Sequence, residues 1–166
     1  MTKAEELIHF FNLQPHQEGG WYRKTYKASE KIKKDALPER FSGDRFFSTA
    51  IYYLLEKGNF SAFHKIKSDE CWHFYDGDPL EIFMLEPGGK LKKVLLGKSF
   101  EAGQVFQFVV PAGCWFASCP AAGSEYCFAG CTVSPGFEFE DFELADAKEL
   151  VEIYPKHKKL IEEMCR

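Results

Sequence analysis

The chain has 166 residues, a net charge of −4 and 16% aromatic residues, 17 Phe among them. That length suits one domain with a real core, and the composition is too apolar for a disordered chain. The acidic balance excludes a broad basic field for nucleic acid or an anionic membrane surface, and no window approaches the roughly 18 apolar residues of a membrane span.

The N-terminus, MTKAEELIHFFNL, lacks the basic head and long apolar run of a secretion signal, so a cytoplasmic protein is expected. Thr2 and Glu5 form a capping box ahead of Leu7, Ile8, Phe10 and Phe11, which predicts a short amphipathic helix ending near Asn12. In LQPHQEGGWYRKTYKAS, Pro15 and the pair Gly19–Gly20 break regular structure. Glu18 joins those glycines in a compact turn, and Trp21–Tyr26 reads as an early strand. The charged segment KIKKDALPERFSGDR, with Pro38 and Gly43, reads as a surface loop.

From Phe46 the texture becomes β-branched and aromatic. After FFSTAIYYLLE, short strand-like runs follow at Ser61–Ile66, Glu70–Tyr75, Leu80–Leu85, Leu91–Leu95, Gln104–Val110, Trp115–Ser118 and Tyr126–Val133. Turn-forming pieces such as YDGDP, EPGGK and CPAAGSE separate them. Many short strands with tight turns and no helices between them predict an antiparallel sandwich or barrel. The run FEFEDFEL (Phe137–Leu144) alternates apolar with acidic residues, as a half-exposed strand with a solvated acidic face would. Asp146 caps a turn of helix over Ala147–Ile153, and Pro155 opens a last helix with Leu160, Ile161 and Met164 on its apolar face.

The six cysteines form no CxxC pair, so buried free thiols are expected. Cys127 and Cys131, four apart in a strand, share a face.

The chemistry concentrates in GNFSAFHKIKSDECWHFYDG, Gly58 to Gly77. Strand alternation puts His64 on one face with Ala62 and Ile66. In the next strand Glu70, Trp72 and Phe74 share a face, and Cys71, His73 and Tyr75 share the other. His64 and Glu70 therefore converge from neighbouring strands, and His73 points away.

Gly58, His64, Glu70 and Gly77 carry the spacing of the first signature of the cupin superfamily, with Ile66 where that signature has a second histidine. PAGCWF supplies Pro111 and Gly113 of the second signature, with Phe116 at its histidine position. The blocks HQEGGWYRKTY, STAIYYLL, FSAFHKIKSDECWHFYDGDPLE, VVPAGCW and GCTVSPGFEFEDFEL, in order from His16 to Leu144, resemble the Cupin_5 (DUF985-like) family. The resemblance implies a mainly β double-stranded β-helix, the cupin jelly roll, with short N- and C-terminal helices. It also implies a homodimer, which the outer faces of aromatic strands favour as well. The expected organisation is one domain over residues 1–166: a helix and arm at 1–45, the barrel at about 46–144 and C-terminal helices at 146–165.

A metal-binding cupin typically offers three histidines and one glutamate, of which His64 and Glu70 remain. No cofactor is expected; a divalent metal, if bound, would take those two, with His16, His9 or His73 as the remaining sources of a ligand. The leading expectation is a pocket for a small polar metabolite, with His64 as acid or base and Glu70 orienting it. The superfamily suggests isomerase- or epimerase-type proton transfer on a sugar or sugar-nucleotide. The alternatives are a non-catalytic binding or storage-like cupin, and a metal-dependent enzyme with a reduced ligand set. Trp72, Phe74 and Phe116 are expected to line the pocket. One of Tyr52 and Tyr53 faces inward, with Tyr52 assigned to the pocket, and Gln107 is either in the pocket or on the outer face.

Overall fold

The computed structural model describes all 166 residues. Helix α1 (Lys3–Phe10) starts at the predicted capping box, with the Thr2 hydroxyl accepting from Glu5 N–H and the Glu5 carboxylate accepting from Thr2 N–H. Next come β1 (Gln14–Pro15), β2 (Trp21–Lys27), the small hairpin of β3 (Lys31–Ile32) and β4 (Arg45–Phe46), and β5 (Thr49–Glu56). The central strands are β6 (Ser61–Lys65), β7 (Asp69–Gly77), β8 (Leu80–Leu85), β9 (Leu91–Leu96) and β10 (Gln107–Val110). Then follow β11 (Trp115–Pro120), β12 (Tyr126–Ser134) and β13 (Glu143–Leu144), and the chain ends with α2 (Ala147–Ile153) and α3 (Lys158–Glu163).

These strands make two facing sheets, in the orders β1-β2-β5-β12-β7-β10 and β13-β6-β11-β8-β9, with every strand-to-strand ladder antiparallel. The result is the expected jelly-roll sandwich with short helices at both ends. The arm contributes to it directly: β1 and β2 extend the larger sheet beyond β5.

Alternation of side chains sorts the strands into three apolar layers. Between the sheets lie Tyr53, Leu55, Trp72, Ile82, Met84, Phe116, Cys127 and Cys131. Fully burying a side chain of that size stabilises by about 1.5–3 kcal/mol. The opposite face of β5 and β12 presents Leu54 and Phe128 to α1, through Ala4, Leu7 and Phe11. The outer face of the smaller sheet presents Phe63, Phe83 and Ala117 to Leu150, Ile161 and Met164 of α2 and α3. Both outer faces thus carry a helical cover, and the terminal helices hold the sandwich without entering it. All six cysteines are free, and Cys127 and Cys131 face the core together.

Two segments depart from their sequence reading. The charged stretch before Phe46 holds two fully buried anchors, Phe41 and Arg45. FEFEDFEL is no continuous strand: Phe139–Asp141 forms a 3₁₀ turn and only Glu143–Leu144 pairs, with β6. Its acids are not all solvated, because Asp141 is buried and receives Arg45 Nε and Nη2 at 2.6 and 2.7 Å. A bidentate guanidinium–carboxylate pair fixes orientation as well as distance, so this contact rivets the turn over one end of the sandwich.

Candidate active site

Under that turn lies a partly enclosed cavity of about 80 Å³, counted as the space open to the centre of a water molecule. Its inner wall carries His16, Glu18, His64 and Glu70, and its mouth carries Tyr22, Phe137, Phe139 and Phe142. The remaining wall includes Ile51, Ile66, Cys131 and Val133.

His64 reaches the interior from β6 and Glu70 from the start of β7, as strand parity requires. Glu18 and His16 arrive by another route. The turn between β1 and β2 closes with His16 N–H donating to the Gly20 carbonyl (3.0 Å) and Gly19 N–H to the His16 carbonyl (3.1 Å). It is tied to the barrel by Ala62 N–H donating to the Glu18 carbonyl (2.8 Å) and by the Tyr53 hydroxyl donating to the Gly19 carbonyl (2.6 Å). Arg166 adds a bond from Nε to the same Glu18 carbonyl at 3.2 Å. This docking requires both glycines. Gly19 has φ +109° and Gly20 φ +75°, and a Cβ on Gly20 would sit 2.8 Å from the Leu54 carbonyl oxygen. No L-side chain fits there without strain.

The docked turn places Glu18 Oε2 3.0 Å from His64 Nε2, with both side chains buried. His64 Nδ1 lies 2.7 Å from the Ala62 carbonyl, and its ring packs on Phe116 with centroids 4.1 Å apart. Both imidazole nitrogens are therefore bonded within the protein. Burial works to lower the His64 pKa, but the charge and hydrogen bond of Glu18 outweigh it and raise the group above its ordinary value. The same pair acts on Glu18: burial works to raise that carboxyl, and His64 more than offsets it, holding it at about 2. The pair therefore favours the charged forms of both partners, an imidazolium against a carboxylate.

Glu70 behaves in the opposite way. Burial, reinforced by the charge of Glu18, pushes its carboxyl up to about 7, with His64 only partly opposing this. No amide or hydroxyl of the protein bonds it; its neighbour is the Cys131 thiol, itself buried and held well above its usual range. His16 accepts from Glu18 N–H at Nδ1 (3.2 Å), which leaves Nε2 as its N–H. Burial lowers its pKa, against Glu18, so it stays neutral. Its ring sits edge-on to Tyr22 at 4.6 Å, and Nε2 has no protein partner.

These placements correct several expected roles. His64 and Glu70 do line one cavity, but Glu18, not Glu70, orients His64, and His64 has no nitrogen left for a substrate. Phe116 backs the imidazole from behind. Trp72 shares the face of Glu70 but lies deeper, sealed in the core against Tyr53. Phe74 packs at the core's margin. Tyr53 is the inward member of the tyrosine pair; Tyr52 lies on the outer face against Phe11, Phe128 and Tyr75. Gln107 is exposed on the outer face, bonded to His73, whose other nitrogen meets Thr132. None of these five lines the cavity. His16, weighed only as a metal ligand, lines the cavity; the residues missed were Glu18 and the phenylalanines of the turn, and the available signal for Glu18 was the pattern His-x-Glu-Gly-Gly directly before a strand.

The donor set does not fit a metal ion. Ile66 lines the cavity where the signature has a second histidine, Phe116 stands at the third position, and His64 is saturated. No three His, Cys, Asp or Glu side chains converge as ligands would. No helix is long and apolar enough to cross a membrane.

Comparison with known proteins places the chain by family and fold. Residues 5–145 match the model of the Cupin_5 family, described as Cupin superfamily (DUF985). An uncharacterised protein of Saccharomyces cerevisiae is 30% identical over 149 residues, which is 84% of this chain and 74% of the relative. A hypothetical protein from Leishmania major superposes with a TM-score of 0.89 at 32% identity, over 99% of each chain. A Shewanella oneidensis protein does so with a TM-score of 0.89 at 37% identity, over 100% of this chain and 99% of its own. Oxalate decarboxylase from Bacillus subtilis shares the fold alone, with a TM-score of 0.56 at 12% identity over 93% of this chain and 37% of that one.

Proposed function

The chain belongs to the Cupin_5 (DUF985) family of the cupin superfamily, and from that premise we propose that its pocket binds a small polar metabolite and exchanges a proton with it at Glu70. The observation that carries this reading is the Glu70 carboxyl itself: buried, without an amide or hydroxyl partner, open to the cavity and held at about 7. A general acid or base works best when its pKa lies near the working pH, and perturbed carboxyls in clefts gather at functional sites.

In this reading the Glu70 carboxylate takes a proton from a carbon beside a carbonyl or imine. The electron pair left behind moves onto the oxygen or nitrogen, where His16 Nε2–H stabilises it with a hydrogen bond. Glu70 then returns the proton to the neighbouring carbon, while the hydroxyl proton on the first carbon passes to the former carbonyl oxygen, which completes an isomerisation. Return to the opposite face of the same carbon, after the planar intermediate turns over, completes an epimerisation, and neither needs a co-reactant. Beside it, Glu18 raises the Glu70 carboxyl and His64 opposes that rise, so the pair tunes it. The aromatic mouth limits water around the exchanged proton. Pairing with a second copy of the chain is part of the same proposal and is read by light scattering.

The test incubates the protein in D₂O with small hydroxy- and amino-carbonyl compounds and follows deuterium entering carbon-bound positions by NMR. Exchange that Glu70→Gln slows by about 10²-fold or more supports the assignment. Ligand binding with no exchange at any carbon would leave a binding cupin and remove the enzyme.

A further inference from the structure

We infer that the ligand of this pocket is a small organic ammonium, held with its nitrogen against Glu70 and its carbon body among Phe137, Phe139 and Phe142. This rests on the reading of the cavity as a ligand site and adds the ligand's charge. The argument starts from the bonding capacity of the walls. Three carboxyl side chains line the cavity, Glu18, Glu70 and Glu138, against the His64 imidazole and one exposed ammonium, Lys24. His64 and Glu18 are paired with each other at 3.0 Å. Glu138 has only a 3.7 Å contact with Lys27, and Glu70 has no cation of its own.

An anion needs N–H or O–H donors, and the wall has few to give. Both His64 nitrogens are used, so the His16 Nε2–H, the hydroxyls of Tyr22 and Thr49 and the outlying Lys24 remain. A phosphate or carboxylate would face Glu70 without compensation, at a desolvation cost that only pairing relieves. A sugar-nucleotide, with two phosphates, is the worst case.

The mouth favours the opposite charge. Phe137 and Phe139 meet edge to face at 5.0 Å, and Phe142 packs against both at 6.4 and 6.2 Å. With Tyr22 and the neutral ring of His16 they surround the cavity with aromatic walls. Aromatic faces attract cations, most strongly where water is excluded. A carboxyl floor under an aromatic rim recognises a nitrogen cation carrying a compact apolar body.

The experiment uses three probes of one shape: benzylamine, benzyl alcohol and benzoate. Binding to the full chain is measured at pH 8 by calorimetry and thermal shift. Benzylamine is expected to bind at least about tenfold tighter than benzyl alcohol, a difference of about 1.4 kcal/mol, with benzoate weakest. Glu70→Gln should bring benzylamine down to the level of the alcohol. Phe139→Leu should weaken the amine more than the alcohol, because only the amine uses the ring's charge distribution. If benzoate or the alcohol binds as well as the amine, or Glu70→Gln keeps the preference, the ammonium assignment falls and the ligand site stands. If none of the three binds, the reading of the cavity as a ligand site falls with it.

Discussion

Two clusters of charged side chains are buried at the same end of this sandwich, and they are built on opposite rules. Around Arg45 every donor is used. Nε and Nη2 meet Asp141, Nη1 meets the Asp44 carbonyl (2.8 Å) and Glu140 (3.4 Å), and Nη2 also meets Ser42 at 3.3 Å. Around His64 the count stays open: the pair with Glu18 is complete, but Glu70 and His16 Nε2 keep unused bonding capacity that faces a cavity. A saturated buried charge is a fastening. A buried polar group left with free valence costs stability unless something else fills it, so the second cluster is the one that awaits a partner.

The largest effect should come from breaking the fastening. Asp141→Ala leaves Arg45 buried with its main partner gone and should lower stability by about 3–5 kcal/mol in denaturant unfolding. The double replacement Arg45→Met with Asp141→Leu should recover most of that loss. A single-variant cost below about 1 kcal/mol would place Arg45 outside the structural class.

Glu70→Gln should act with the opposite sign. The Glu70 carboxyl rises from 4.5 to about 7 on folding, so the folded state disfavours its ionisation. That penalty is absent below the unfolded value, grows as pH rises between the two, and is complete above the folded one. Removing the charge should therefore stabilise the protein by about 3 kcal/mol at pH 8 and by nothing at pH 4. Equal stability of variant and parent across that range would show that Glu70 is not burdened in this way.

Glu18→Gln sits between the two cases and should have the smallest effect, about 2 kcal/mol near pH 6. Its contribution has two edges. The lowered carboxyl loses its stabilisation as pH falls toward 2, and the raised imidazole loses its own as pH rises through the folded value. In the variant, His64 should titrate lower by NMR; an unmoved titration would separate the two residues energetically.

Much of this was legible in the chain and some was not, for identifiable reasons. The capping box at Thr2, the strand run from Thr49 and the interior facing of His64 and Glu70 follow from local period and local chemistry. Alternation alone could not choose Tyr53 over Tyr52, because both outer faces of the sandwich are also buried under helices and both tyrosines are apolar enough for either side. Period two also misread FEFEDFEL, where the alternation serves a turn whose rings face a cavity and whose Asp141 faces an arginine 96 residues away. Glu18 was hidden for the same reason. Its partner lies 46 residues on, and what joins them is a docked turn rather than a neighbouring strand.

That docked turn divides the site by source. The barrel strands supply His64 and Glu70, the turn ending in Gly19–Gly20 supplies Glu18 and His16, and the segment fastened by Arg45 supplies the rings. One inserted residue ahead of the glycine pair would withdraw a carboxylate and an imidazole from the pocket without touching a single barrel ladder. The chemistry of such a pocket is therefore interchangeable at its arm, as a bit is changed in a drill, while the chuck that holds it stays the same.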